Sequence, residues 1–394
     1  MSPSVLPRRL ERIVKGLFFI AIFATAFFLV YNQVFNSGKV SPDGTTGYES
    51  DTLEHIEILK DFFEEGTVLP HPMWHLLVKL FSFLTAMSVE TSAVVISALL
   101  VTLWSFLVYR VVASMLGSVY PSELLFLTVT FVIITIGPLC VPFYEKIIYL
   151  GQGSPNVWHN VTLWTVKPFA LVAVWTAVIA LHKRQMKYYC FALVSTSLSL
   201  LAKPSFVIIF LPSLLALIVS RHYFTYRNSL FYLVLAGIAL VILSYQYSIT
   251  FGAHSKIVVD FLGVWSMQSS NVVVSILLAL AFPLLLLHFH PKVIENDYIF
   301  LSWVQVLLGI MLFALFAEAG SRYTHGNFGW SYIIALGFLY LFSVIEYAKD
   351  FKQIVFAKRW ILLLLLSLQT LIGVYYLVRV LQGQHPLFIA IMLG

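Results

Sequence analysis

Residues 16–35 read GLFFIAIFATAFFLVYNQVF and follow the basic residues Arg8, Arg9, Arg12 and Lys15. A helix of about 20 apolar residues crosses the hydrocarbon core of a bilayer. The run is too long for the apolar part of a secretory signal peptide, and no small-x-small cleavage motif separates it from the acidic segment that follows. We therefore interpret it as a membrane anchor that remains part of the protein.

Composition places the whole chain in the membrane class. Of its 394 residues, 60% are hydrophobic and 11% are charged, and the mean hydropathy is +0.90. Soluble domains carry about 25% charged residues. The net charge of +6 fits basic cytoplasmic loops, and no basic patch interleaved with aromatic residues indicates a nucleic-acid partner. Cys140 and Cys190 fall in different predicted spans, so we expect neither a disulfide nor a cysteine metal site.

The apolar runs predict an all-α fold, a polytopic transmembrane bundle of about eleven spans that forms a single domain over residues 1–394. The first outer loop, 36–90, is expected to carry two interfacial helices, residues 91–220 the core spans, and residues 221–394 the C-terminal spans. The predicted spans cover residues 16–35, 92–113, 122–142, 162–182, 188–202, 205–220, 229–250, 271–289, 297–317, 331–347 and 360–381.

One segment, Met73–Val89, decides the orientation of everything after it. It is apolar but only about 17 residues long, and it contains His75 and Lys79. If it lies along the outer surface, 15 of the 24 Lys and Arg residues fall on the cytoplasmic side and 9 fall outside. The positive-inside rule favours that arrangement. We therefore predict a surface helix here, a cytoplasmic N-terminus and an outer C-terminus.

This orientation gathers four polar segments on the outer face, namely residues 36–75, 144–161, 202–205 and 318–330. The inner loops are short and basic, and we expect nothing comparable there. Ionisable groups beside a membrane usually mark a functional site. The sequence thus predicts an outward-facing site, and it contains no repeat of 20–50 residues and no inverted pair of broken helices of the kind typical of transporters.

The segment that begins at Ser50 predicts an interfacial amphipathic helix, with apolar positions on one side and carboxylates on the other. Asp51 and His55 are one turn apart and can face the same ligand. A carboxylate with a neighbouring histidine suits general-base chemistry on an acceptor hydroxyl, which makes both residues candidate catalytic groups. The alternative is that Asp51 only caps the helix, in a variant of the capping box with Glu54.

The sequence PHPMWH at residues 70–75 starts the second surface helix, because proline fixes the entry of a helix. His71 and His75 are candidate substrate-binding residues that can donate to a phosphate or a sugar. Zinc binding is a second interpretation, but the spacing suggests no third ligand, so no metal is predicted. Interfacial packing of the histidines and Trp74 is the third.

Two cations at the outer ends of separate spans are candidates for binding a donor phosphate. Lys203 stands in the turn 200–205, and Arg322 stands in the loop 318–330. An ammonium is a compact counter-charge for a lipid phosphate, and a guanidinium matches phosphate oxygens with a planar fork. The alternatives are that Lys203 extends to the interface like other flanking lysines, and that Arg322 pairs with Glu318.

Further candidate substrate-binding residues lie on the same predicted face: Trp158, His159, His325, Asn327 and Trp330. Imidazole, amide and indole groups suit sugar hydroxyls, and a tryptophan can stack on a pyranose ring. Trp330 can equally be an aromatic anchor at the membrane interface. Lys167 is expected at the rim of this face. The glycosylation sequon at residues 160–162 is too close to a span to be readily used.

Together these motifs resemble those of the GT-C superfamily of integral-membrane glycosyltransferases, which use polyprenyl-phosphate-linked sugars as donors. The acidic first outer loop carries Asp51, and PHPMWHLL at residues 70–77 looks like the family's Pro-Pro-x-x-Tyr-x-Leu surface helix. The next span ends in Tyr109-Arg110, and LLAKPS at residues 200–205 is similar to the family's Leu-Thr-Lys-Gly/Pro turn. The resemblance covers residues 1–220. This chain differs in having no paired carboxylates at the start of the loop and no sizeable soluble C-terminal domain.

The resemblance implies a GT-C-like fold and an enzyme that transfers a sugar from a polyprenyl-phosphate donor to a glycan, lipid or protein acceptor. The role of the first-loop carboxylate falls on Asp51, and phosphate binding falls on Lys203 and Arg322. No cofactor is expected, and a divalent metal is not indicated.

We expect an integral membrane protein of a bacterial plasma membrane, active on the outer face in polysaccharide biosynthesis of the cell envelope. A polysaccharide polymerase or ligase would share this outer site and its lipid donor. A transporter or flippase of lipid-linked glycans is the other alternative, and it predicts a charged path that continues to the cytoplasmic side.

Overall fold

The computed structural model describes residues 7–39, 47–66, 68–139, 148–251 and 256–384. Most of these residues are helical, as the all-α prediction expects, and the described strands are one short antiparallel pair, β1 (Ile257–Val259) and β2 (Phe316–Glu318). The α-helices among them are α1 (Arg8–Phe35), α2 (Thr52–Glu64), α3 (Met73–Thr85), α4 (Val89–Leu116), α5 (Glu123–Thr135), α6 (Val161–Lys183), α7 (Met186–Ala202), α8 (Ser205–Ser220), α9 (Tyr226–Thr250), α10 (Gly263–Gln268), α11 (Val272–Ala279), α12 (Ala281–Phe289), α13 (Asp297–Leu315), α14 (Gly329–Lys349) and α15 (Phe356–Leu381). A π-helical segment, Ile148–Gly153, precedes α6, and two 3-10 helices cover Pro291–Glu295 and Gly320–His325.

Seven of the described helices are long and apolar enough to cross a membrane: α1, α4, α6, α9, α13, α14 and α15. Helices α11 and α12 meet at a bend of 63°, and they make an eighth candidate if the pair is one span. Helices α3, α5, α7 and α8 are apolar but shorter. The protein is therefore a polytopic helical bundle, and the count of eleven spans stays a prediction. Part of predicted span 122–142, including Cys140, lies outside the described residues, and Cys190 is a free, exposed cysteine.

The apolar segment Met73–Val89 is divided between two helices. Helix α3 ends at Thr85, and Ala86 adopts a left-handed conformation with φ of 57°. The Ser88 side chain then accepts a hydrogen bond from the Thr91 amide, which starts α4 at Val89, three residues before the predicted span. A helix of 13 residues is about 20 Å long, which is too short for a hydrocarbon core of about 30 Å.

Helix α14 forms the centre of the bundle, since all of its residues from Gly329 to Tyr347 are buried. A helix that is apolar on all sides is either a membrane span or buried in a protein core, and α14 is surrounded by the other helices. Helix α13 packs closely against it at Gly309, where an added Cβ atom would lie 2.7 Å from the Tyr332 Cα atom. This close packing fixes the start of α14 against α13.

The bundle has two polar ends. At one, which we call the Asp51 end, α6, α8 and α14 begin, and the Ser331 hydroxyl donates to the Ser205 carbonyl over 2.8 Å. At the other, the Asp297 end, α6 and α8 finish and α13 begins. There the buried Asp297 carboxylate binds Arg221 Nε at 3.1 Å and the Tyr223 hydroxyl at 2.7 Å. The second end therefore also carries a buried polar cluster, which the sequence does not predict.

Candidate functional site

Four segments meet at the Asp51 end, and these are the four segments that the sequence predicts on one face. They are the start of α2, the segment before α6, the turn between α7 and α8, and the segment between β2 and α14. Beside them lies a cavity of about 490 Å³. Its polar lining includes His71, Lys203, Glu318, Arg322 and Asn327, and its apolar lining comes largely from α8 and α9.

Asp51 does not cap helix α2. Its backbone is itself helical, and its carboxylate accepts no hydrogen bond from the first turn, so the capping interpretation is wrong. Instead, Oδ2 accepts from the Asn160 amide nitrogen at 2.7 Å and Oδ1 accepts from the Val161 N–H at 3.3 Å. The Asp51 N–H donates to the His159 carbonyl at 3.3 Å. The carboxylate thus faces the first turn of α6, where the helix dipole favours a negative charge.

Asn160 joins Asp51 to helix α6 and, through Thr162, to Lys203. Asn160 is the N-cap of α6, because its Oδ1 accepts a hydrogen bond from the Leu163 N–H at 2.7 Å. The same oxygen accepts from the Thr162 hydroxyl at 2.9 Å. Lys203 Nζ donates to the Thr162 hydroxyl at 2.8 Å. A continuous hydrogen-bonded chain therefore runs from Lys203 through Thr162 and Asn160 to Asp51. Asn160 is 6% exposed, so the sequon describes a buried structural residue.

Burial shifts the pKa values of Asp51 and Lys203 in opposite directions. It raises the pKa of the Asp51 carboxyl, and the positive charge of Lys203 opposes that rise. It lowers the pKa of the Lys203 ammonium, while the Asp51 charge raises it and the nearby Arg322 lowers it further. Lys203 also lies over the Trp330 ring, 4.9 Å from its centroid. The pKa values of Asp51 and Lys203 are therefore closer to each other in the site than they would be in water.

Three histidines complete this side of the site as neutral groups. Burial lowers the pKa of His75 to about 4, and burial with the charge of Lys203 lowers the pKa of His71 to about 3. Burial also lowers the pKa of His55, and its Nδ1 is hydrogen-bonded to His75 Nε2 at 3.2 Å. His55 Nε2 lies 3.9 Å from Asp51 Oδ2, which is too far for a hydrogen bond. His71 lines the cavity, whereas His75 is buried behind it.

Arg322 forms the ion pair that was the alternative to phosphate binding. Its Nε lies 2.8 Å from Glu318 Oε2, and Asn327 Nδ2 donates to the same oxygen at 2.9 Å. The Arg322 side chain is still 38% exposed and lines the cavity, so the pair orients the guanidinium without covering it. Asn327, predicted to bind sugar, uses its amide N–H on Glu318 and presents its remaining surface to the cavity.

Trp330 is 6% exposed, so it is not an aromatic anchor in the membrane interface. It stacks on Tyr149 with ring centroids 5.7 Å apart, and Tyr149 contacts the His159 ring edge-on at 4.5 Å. The sequence does not indicate a role for Tyr149, because a tyrosine before a Gly-rich segment has no distinctive pattern. Of these three rings, Trp330 contacts Lys203 directly.

The structure does not bring every predicted residue into the site. His325 is exposed and does not line the cavity. Trp158 lines a different cavity. Lys167 is not a rim residue, since it is 4% exposed inside the bundle and its ammonium donates to the Pro155 carbonyl at 2.8 Å. Glu145 and Lys146 of the predicted loop 144–161 lie outside the described residues.

Within the described part of the chain, no group of three or more His, Cys, Asp or Glu side chains is arranged to hold a metal ion. Comparison with known proteins adds no assignment. No family model matches the chain, and no curated protein is similar to it at a significant level.

Proposed function

We propose that the protein is a membrane glycosyltransferase that moves a sugar from a polyprenyl-phosphate donor to an acceptor hydroxyl at the Asp51 end. One observation carries the proposal. Lys203, an ammonium with a lowered pKa, lines a cavity of about 490 Å³, and a hydrogen-bonded chain through Thr162 and Asn160 joins it to the Asp51 carboxylate, whose pKa is raised. Perturbed ionisable groups beside a well-formed cavity are typical of catalytic sites.

The cavity suits an amphiphile with a phosphate group. Lys203 and Arg322 line one part of it, and these are the two cations that a phosphate would contact. Another part of the cavity has an apolar lining, formed by Leu243 and Tyr247 of α9, Phe251 at the C-cap of α9, and Ile208 of α8. An apolar wall beside two cations is the arrangement that a prenyl chain ending in a phosphate requires.

The proposed reaction uses the carboxylate as the base. The acceptor oxygen attacks the anomeric carbon, the bond from that carbon to the phosphate oxygen breaks, and its electron pair leaves with the prenyl phosphate. The acceptor proton passes to Asp51, whose raised pKa makes it a stronger base than an exposed carboxylate. Lys203 and Arg322 would stabilise the negative charge that grows on the leaving phosphate. His71 and Asn327, which line the cavity, would contact the sugar.

The proposal includes eleven spans, with the Asp51 end on the outer face of a bacterial plasma membrane. Its support is the alternation of helices between the two ends, which continues through the shorter helices α5, α7 and α8. Helix α7 runs towards the Asp51 end at Lys203, and α8 returns to the Asp297 end at Arg221. The positive-inside count favours a cytoplasmic Asp297 end.

The experiment that tests the proposal separates transfer from transport. The purified protein is reconstituted in vesicles with short-chain prenyl-phosphate hexoses of several sugar types and with a lipid-linked glycan as the hydroxyl acceptor, and release of prenyl phosphate is followed with time. Release that requires the protein and is lost in Asp51→Asn supports the proposal. Passage of intact prenyl-phosphate hexose across the bilayer without cleavage would contradict the proposal and identify the protein as a flippase. Products that grow by many sugars would identify a polymerase that uses the same site.

A further inference from the structure

Two short connections meet at the Asp297 end of the bundle. One lies between α6 and α7, and the other lies between α8 and α9. Arg227 Nη1 donates to the Arg184 carbonyl at 3.2 Å, and the Tyr189 hydroxyl donates to the Asn228 side chain. The Asn228 side chain in turn donates to the Leu181 carbonyl at 3.4 Å. These hydrogen bonds hold the two connections side by side.

The basic patch consists of four exposed cations on and beside these connections: Lys183, Arg184, Lys187 and Arg227. None of the four forms an ion pair with a carboxylate in the described part of the chain. Residues 181–191 and 219–229 contain neither Asp nor Glu. The neighbouring carboxylate, Asp297, already binds Arg221 and Tyr223. The basic patch therefore has a positive charge that the surrounding residues leave uncompensated.

Two of these cations lie where they do not stabilise the fold. Lys187 is the second residue of α7, and Arg227 is the second residue of α9. The N-terminus is the positive end of the helix dipole, so a cation in the first turn is unfavourable. Lys187 is also close to Lys183, since the two ammonium groups lie 5.0 and 5.7 Å from the centroid of the same ring, Tyr188. A bound anion would offset both repulsions.

Basic loops are common beside membrane spans, and that general bias does not explain this arrangement. At the same end, Arg221 has Asp297 as its partner, and Lys349 Nζ lies 3.4 Å from Glu346 Oε1. The basic patch differs because it combines cations from two connections that are hydrogen-bonded to each other and carry no carboxylate. This geometry concentrates positive charge at one place on the surface.

The surroundings of the basic patch are apolar and face lipid. Helix α9 is the second least buried of the seven long apolar helices. Phe191 and Val194 of α7 and Leu233 of α9 are exposed, and so are Phe224 and Tyr226 beside the cations. Apolar surface next to a group of cations suits an amphiphile with an anionic head group. An acidic segment of a soluble protein would leave the apolar surfaces of α7 and α9 unused.

We propose that the basic patch binds the head group of an anionic phospholipid, whose acyl chains lie along the exposed apolar surfaces of α7 and α9. Lys187 and Arg227 contact the phosphate, and Lys183 and Arg184 add to the positive potential around it. The lipid site lies at the opposite end of the bundle from the candidate functional site. It therefore does not depend on the proposed glycosyltransferase activity.

Native mass spectrometry of the purified protein in detergent tests the lipid site. The protein is titrated with dioleoyl phosphatidylglycerol or dioleoyl phosphatidylcholine, which have the same acyl chains and differ in the net charge of the head group. The double variant Lys187→Gln/Arg227→Gln removes the two cations that contact the phosphate. Lys292→Gln/Lys352→Gln is the matched control, because it removes two exposed cations from other connections at the same end.

The wild type should bind phosphatidylglycerol about tenfold more tightly than phosphatidylcholine, which corresponds to about 1.4 kcal/mol. This preference should be lost in Lys187→Gln/Arg227→Gln and kept in the control. The variant Lys187→Arg/Arg227→Lys keeps both charges, so it should keep the preference. The melting temperature of each variant, measured without added lipid, should equal that of the wild type, which excludes unfolding as the cause of lost binding.

Three results would overturn the proposal. Equal binding of the two lipids by the wild type would exclude a site for an anionic lipid and would favour an acidic protein segment as the partner of the basic patch. Equal loss of the preference in the glutamine variant and in the control would show that any positive charge at this end has the same effect. Loss of the preference in the charge-conserving variant would show that the two side chains act through the fold.

Discussion

The Asn160 amide nitrogen donates to the Asp51 carboxylate over 2.7 Å, although 109 positions separate the two residues in the chain. The same Asn160 side chain caps helix α6 through its oxygen. One residue therefore fixes the start of a membrane helix and the orientation of the proposed base. The contact with Asp51 uses the amide nitrogen of Asn160, and the helix cap uses its oxygen. Substitutions of Asn160 can therefore remove one contact and keep the other.

Asn160→Ser should lower turnover while keeping the helix capped. Serine is a good N-cap, but it cannot also donate to Asp51 across the same distance. A hydrogen bond to a charged group contributes about 1.5–3 kcal/mol, so the rate should fall by about ten- to a hundredfold. The lost donor also raises the pKa of Asp51 further, which moves the acidic limb of the pH–rate profile to higher pH.

The control for this substitution is Asn160→Ala, which removes both functions. It should lower the rate as Asn160→Ser does and should also lower the melting temperature, because the loss of an N-cap costs about 1 kcal/mol. An Asn160→Ser protein with normal turnover and an unshifted pH profile would show that the contact with Asp51 has no catalytic role.

Arg322→Ala should weaken binding of a short-chain prenyl phosphate by about ten- to a hundredfold, since it removes one charge-assisted contact. His325→Ala is the matched control, because it lies three residues away in the same loop, is exposed and does not line the cavity. Binding is measured by scintillation proximity with radiolabelled prenyl phosphate. Equal affinity of the two variants for prenyl phosphate would show that Arg322 does not bind the phosphate.

Acidification should destabilise the segment that holds the three histidines. The folded protein lowers the pKa of His75 to about 4 and of His71 to about 3, whereas an unfolded histidine has a pKa of about 6.5. Between these values the unfolded chain binds more protons, so protonation favours unfolding. The stabilisation is fully present above about pH 6.5 and is lost as the pH falls towards 4.

The measurement is the melting temperature between pH 7.5 and 4.5 for the wild type, His75→Gln and His325→Gln. The wild type and His325→Gln should lose stability in parallel on acidification. His75→Gln should be less stable at pH 7.5 but should lose less between the two pH values, by a difference on the order of 1–3 kcal/mol. Parallel curves for all three proteins would contradict the burial argument.

The helices and the convergence of the four polar segments could be predicted from the sequence, because apolar length and the positions of polar ends are local properties. The contacts of Asp51 could not. They depend on how the first turn of α6 packs against α2, and Asn160 read from sequence looks like part of a sequon rather than a partner of Asp51. The prediction that Lys167 lies at the rim of the outer face is wrong for the same reason. The rotation of α6 about its axis decides whether the lysine faces that rim or the interior of the bundle.

The sequence does not predict the Asp297 cluster, because Arg221 and His182 lie at the ends of helices that lead into short basic loops. The structure shows that Arg221 and Tyr223 both bind the Asp297 carboxylate, which is 8% exposed. A buried carboxylate at the first residue of a helix is paired by residues from other helices, and no spacing rule reveals those partners. This pairing leads to a separate prediction.

Asp297→Asn should destabilise the bundle by about 3 kcal/mol, because it leaves the Arg221 guanidinium without its counter-charge in a largely buried setting. Glu90→Gln is the control, since its ion pair with Lys60 is more exposed and should contribute less than about 1 kcal/mol. Thermal unfolding in detergent compares the two. Similar melting temperatures for both variants would show that the Asp297 cluster contributes little to stability.

The central claim is that Asp51 takes a proton during transfer of a sugar. The most direct measurement is the rate of prenyl-phosphate release by Asp51→Asn, compared with wild type and with Asp61→Asn, an exposed carboxylate on the same helix. The account predicts a rate about 10²–10⁴-fold lower in Asp51→Asn. It also predicts normal binding of prenyl phosphate by that variant, and no change of rate in Asp61→Asn. Wild-type turnover by Asp51→Asn, with the protein folded and the donor bound, would contradict it.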